Sequence, residues 1–167
     1  MIKSTILMTV FALLVSACGL WAVQPAADPA FKNMRSQYSS QIKASLSSID
    51  GAEAELQGAM QGVTPEVEAD AQFKSLVGKY DAIKGKYGDA QGKAKELMTW
   101  AEKTEPVATE DDRNKLSSEA SAIQIELRNI DSSMRALVPD LQRIQMQVGA
   151  QVQAEKNIES LKESNKK

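Results

Sequence analysis

Histidine does not occur in this chain, and cysteine occurs once. The first absence removes the commonest general base, the commonest zinc ligand and the Glu-x-x-His pair on which di-iron helical bundles depend. The second excludes an intrachain disulfide and any Cys-x-x-Cys site. Aromatic residues make up only 5% of the 167 residues and there are five prolines, so a thick globular core is not expected. The formal charge of -2 gives no general attraction to nucleic acid, and no nucleic-acid partner is expected. Carboxylates are plentiful, but none stands apart from a solvated helical face. No catalytic residue, cofactor or metal ligand is therefore expected, and the chain reads as a non-enzyme.

What the chain does contain is helical periodicity, in a background rich in Ala, Gln, Ser, Lys and Glu. Asp28-Pro29 supplies an N-cap followed by proline at the first helical position, where a missing N–H costs nothing. From there Phe31, Met34, Tyr38, Ile42, Leu46, Ile49 and Leu56 recur at threes and fours, with a slip near Tyr38, and predict a helix over 29–62. Thr64-Pro65-Glu66 repeats the start signal, and Phe73, Leu76, Tyr80, Ile83, Tyr87, Ala90, Ala94 and Leu97 continue a helix over 64–103. Thr109-Glu110-Asp111-Asp112 resembles a capping box and opens a third helix over 110–162, with a heptad seam from Leu116 to Val148. Pro139 falls on its outer face, where a kink rather than a break is expected. Residues 164–167 read as a frayed tail. The predicted fold is all-α: an elongated up-down-up three-helix antiparallel coiled-coil bundle over 29–163.

Charge supports a hairpin between the first two helices. Asp50, Glu53, Glu55, Glu66, Glu68 and Asp70 carry all the charge of 44–73, and 74–95 holds six lysines. Folding about residues 63 and 64 places Asp50 and Glu53 opposite Lys74 and Lys79. Trp100 falls near the end that this topology sets towards the membrane, where it would either pack on the third helix or sit at headgroup level.

The N-terminus has the layout of a secretory leader: Lys3, an apolar run from Ile6 to Val15, then small residues before Cys18. Val15-Ser16-Ala17-Cys18 resembles the lipobox of bacterial lipoproteins. That resemblance implies removal of 1–17 as a signal peptide, diacylglycerol on the Cys18 sulfur, and a short tether over 18–28. The alternative is an uncleaved anchor, since 4–23 carries no charge and is long enough to span a bilayer. Gly19 is not the aspartate associated with inner-membrane retention, so the resemblance places the chain in the cell envelope, at an outer membrane facing the periplasm. An N-terminal lipid, heptads and a final Lys167 together resemble the murein lipoprotein, which implies possible attachment to peptidoglycan through Lys167. Pro65, Ala69, Phe73 and Leu76, with Glu55-Leu56-Gln57-Gly58-Ala59-Met60 and Leu137-Val138-Pro139-Asp140-Leu141, are faintly similar to segments of the LemA family, in a different order.

Within the second helix, Gly78, Gly85, Gly88 and Gly92 form a stripe at the outermost heptad place. Gly-Lys at three of these positions does not make a phosphate loop, because Tyr80 and Tyr87 occupy the places where Gly-x-x-x-x-Gly-Lys needs glycine. The stripe is either tolerated softness or a partner-contact surface. The expected function is that of a membrane-anchored helical lipoprotein acting as a structural spacer or docking module, through an envelope partner or self-association. The alternative is a periplasmic chaperone-like or regulatory binding protein, which would need apolar rows outside the seams; Val77, Met98, Ile125 and Val152 are the candidates.

Overall fold

A computed structural model describes residues 28–164. The chain is all-α: among the described residues there is no strand. Among these residues four helices occur where three were expected: α1 (Pro29–Met60), α2 (Pro65–Ala69), α3 (Ala71–Thr104) and α4 (Glu110–Ser164), with a 3-10 turn at Glu105–Val107 before the last.

The additional helix end has a local cause. Asp70 adopts an extended backbone and its carboxylate accepts from the N–H groups of Gln72 and Phe73. It is an N-cap of the kind that satisfies the free donors of a first turn, so α3 begins at Ala71 and the Thr64-Pro65 start opens only the five residues of α2. Val67 of that short helix is buried and packs with Leu56, Leu76 and Val148 in one apolar cluster.

The other start signals act as their sequences predict. Asp28 accepts from the Ala30 N–H at 2.9 Å and takes Arg113 of α4 at 2.6 Å, fixing both helix starts together. Thr109 and Asp112 exchange hydrogen bonds as a capping box. The backbone N–H of Thr109 and its hydroxyl hold the Asp112 carboxyl below its ordinary range. Helix α4 continues through Pro139, which is exposed, so the missing N–H and the unpaired carbonyl face water. Ser164, expected to begin the tail, is still helical.

Side-chain partners define how the long helices meet. Between α1 and α4 the partners advance together along both helices: Tyr38 with Ser117, Gln41 with Gln124, Ser48 with Asp131 and Arg135. Between α1 and α3 they run oppositely, from Glu53 with Lys84 to Phe31 with Trp100. The seam residues fill two clusters. One holds Phe31, Ile42, Ile49, Leu97, Leu116 and Leu127, the other Leu56, Phe73, Leu76, Met134, Leu137 and Leu141. No polar or charged residue is buried among them.

Candidate functional site

A cluster of polar and charged side chains lies on the line where α1 faces α3. Asp50 and Glu53 project from α1 one residue, or about a quarter turn, from buried Ile49 and Ala52, and α3 brings Tyr80, Lys84 and Tyr87 against them. One Glu53 oxygen accepts from the Tyr80 hydroxyl at 2.7 Å, from Lys84 at 2.9 Å and from Gln57 at 2.9 Å. Lys84, and then Tyr80, lower the Glu53 carboxyl from its usual range, and Glu53 raises Lys84 in return. Tyr87 donates to Asp50. Burial first, and the Asp50 carboxylate second, push its hydroxyl up to about 12.

The expected pairing of Asp50 and Glu53 with Lys74 and Lys79 is not what forms. Glu53 meets Lys84 instead, further along α3. The physical reason is the turn: the chain reverses over residues 61–70, including the whole of α2, and not at a hinge between 63 and 64. Of the six lysines in 74–95, Lys84 pairs with Glu53 and Lys93 with Glu126 on α4. Both lysines are more than half exposed, so water screens each pair and its contribution is small.

Nearer the start of α1 the surface between α1 and α3 is hollowed. An open groove of about 610 Å³ lies between them, floored by Ile42, Leu46, Ala94 and Met98 and walled by serines of α1 and by Lys95 and Thr99 of α3. At its end Arg35 reaches Glu105 of the 3-10 turn at 2.7 Å. Neither Arg35 Nε nor that Glu105 oxygen meets a hydrogen-bonding group in good alignment, so charge rather than geometry holds the pair. Beyond it Trp100 lies edge-on to Phe31, centroids 6.2 Å apart, with Lys115 Nζ 4.3 Å from its ring. Trp100 thus packs against both α1 and α4 as a half-buried lid on the core.

Gly78, Gly85, Gly88 and Gly92 are all exposed, and a Cβ added at any of them would meet nothing within 4 Å. Cys18 with its lipobox, and Lys167, lie outside the described residues. Of the off-seam apolar candidates, Val77, Met98 and Val152 are half-buried against the core and Ile125 is 59% exposed. Three further groups were not singled out from the sequence: Asp70, Val67 and the buried Ala52. The Asp-Ala-Gln-Phe run does carry a cap signal, but Thr64-Pro65 precedes it with a stronger one.

Chemically the arrangement holds carboxylates ionised. Glu53, Glu66 and Asp112 are each lowered, Glu66 by the Thr64 hydroxyl and by its own backbone N–H. A general acid needs the opposite shift. Among the described residues no group of three or more acids or cysteines is placed to hold a metal ion. No protein-family model matches the chain, and no curated protein or solved structure matches it.

The Tyr87 hydroxyl gives a test of the α1–α3 contact. Its folded value lies above the ordinary 10, so the stability it contributes is fully present below pH 10 and is lost as pH rises towards 12. Tyr87→Phe is expected to remove that alkaline loss, leaving a flatter stability curve between those values. Denaturant titrations at a series of pH values check it, and an unchanged curve would show that Tyr87 does not report on folding.

Proposed function

We propose that the chain is a non-enzymatic lipoprotein of a bacterial cell envelope, tethered through Cys18 and acting as a helical spacer and docking module for another envelope protein. The single observation that carries this is the placement of the chain's one cysteine in Val15-Ser16-Ala17-Cys18, directly behind an apolar leader. In this reading the three long helices form an up-down-up antiparallel coiled-coil rod, supported by the opposed partners of α1 and α3 and the co-advancing partners of α1 and α4. The 55 residues of α4 reach about 80 Å. The end holding Phe31, Trp100 and Leu116 would sit by the lipid, and the end of α4 would point away from it, towards a peptidoglycan layer that Lys167 would meet. An outer-membrane address follows from Gly19 in the same reading.

Docking is favoured over chaperone-like binding because large apolar side chains are exposed singly at Val107, Ile125 and Met146, and as one i,i+3 pair at Ile158 and Leu161, and not as a broad row. The glycine stripe is the surface where a partner backbone can come close. A photo-crosslinking residue at Gly78, Gly85 or Gly92 is expected to give one discrete adduct in cells, shared by all three positions and absent from Gln142 on α4. A smear of unrelated adducts would instead indicate a client-binding chaperone and remove the docking reading.

A further inference from the structure

We infer that the groove between α1 and α3 is a docking site for a short acidic amphipathic helix of a partner protein. The inference rests on the docking reading and names the chemistry of the partner.

The groove is bounded at both ends by side chains that bridge the two helices. Tyr87, reaching Asp50, closes one end, and the Arg35–Glu105 pair with Phe31 against Trp100 closes the other. Between these bridges it runs from Arg35 to Leu46 on α1 and from Gln91 to Glu102 on α3, about 16 Å at the helical rise, or three turns. Ser36, Ser39 and Ser40 on the α1 wall are small, so a third helix can approach closely on that side. The apolar floor of Ile42, Leu46, Ala94 and Met98 calls for an apolar stripe on the occupant, which a glycan or a nucleic acid lacks.

Charge selects the sign of the occupant's flanks. Lys43 stands on the α1 wall and Lys95 on the α3 wall, and neither forms an ion pair among the described residues. Arg35 is already neutralised by Glu105. Glu102 of α3 also lines the groove without an ion pair among the described residues and repels a carboxylate set beside it, so the attraction is confined to Lys43 and Lys95; the Ser40 and Thr99 hydroxyls donate back to the Ser36 and Lys95 carbonyls of their own helices. An apolar stripe flanked by carboxylates is the chemistry that fits.

The test uses the full-length chain in detergent and three labelled peptides followed by fluorescence anisotropy. They are a three-turn helix with a Leu/Ala stripe and glutamate flanks, the same stripe with lysine flanks, and polyglutamate. The acidic helix is expected to bind, with the other two at least about tenfold weaker. Lys43→Glu with Lys95→Glu should weaken it about tenfold or more, Ser39→Trp should block it by filling the wall, and Lys79→Glu with Lys86→Glu on the outer face of α3 should leave it within about twofold. Equal binding of the lysine peptide or of polyglutamate overturns the inference, as does an unchanged affinity in the Lys43/Lys95 variant. Self-association of the chain that this variant abolishes would assign the groove to a second copy and overturn it too. A cellular crosslink obtained from Gly85 but not from Ser39 removes the groove alone; no adduct from either removes the docking reading with it.

Discussion

The Cys18→Ala chain is expected to lose palmitate labelling and to leave the membrane fraction entirely. The effect is all-or-none because a diacyl anchor contributes about 0.8 kcal/mol per buried methylene, and the helical body offers nothing in exchange. No helix among the described residues is long and apolar enough to cross a membrane, and its exposed apolar side chains are scattered. Labelled-palmitate incorporation followed by membrane fractionation measures both losses at once. Retention in the membrane without label would mean that the uncharged segment 4–23 stays attached as an uncleaved anchor, and the lipoprotein reading would fall.

Replacing Gly78, Gly85, Gly88 and Gly92 together by alanine is expected to stabilise the protein by about 2–4 kcal/mol, since each interior helical glycine costs about 0.5–1 kcal/mol relative to alanine. Every one of the four sites is open to a methyl group, with no atom within 4 Å of the added Cβ. No packing cost therefore offsets the gain, which comes from restricting the unfolded chain. For a body of this size the gain corresponds to roughly 10 °C in Tm. Thermal unfolding by circular dichroism checks the number, and a Tm that stays level or falls would show that the outer face of α3 has contacts of its own. The same variant tests the stripe: added methyl groups spoil a close backbone approach, so a partner seated on it loses its crosslink, whereas tolerated softness leaves the crosslink intact.

Much of the architecture was legible because it depends on local chemistry. Asp28-Pro29 and Thr109 with Asp112 cap helices in the structure as they do on paper, and the three-four spacing of α4 places Leu116, Leu127, Met134 and Leu141 fully inside. What was not legible depends on competition or on register. Asp70 competes with Thr64-Pro65 for the start of the second long helix and wins, because its carboxylate reaches two backbone donors and Thr64 makes no side-chain cap bond. That one outcome lengthens the turn and moves Glu53 from the stretch of Lys74 and Lys79 to Lys84, a shift that no count of acids and lysines reveals. The groove was equally hidden. Spacing marks Ile42, Leu46 and Ala94 as inward-facing, but only the assembled helix pair shows that Met98 and Lys95 line a channel with them.

Ile83 is half-buried and, among the described residues, is the one partly buried side chain that packs against both apolar clusters. On either side of it the core is anchored by residues that belong to one cluster only, Ile49 and Ile130 on one side and Ala52 and Met134 on the other. The hand-over between the clusters falls where Lys84 and Tyr80 bind Glu53 and Tyr87 binds Asp50, so the two halves of the core are joined there by polar ties between α1 and α3.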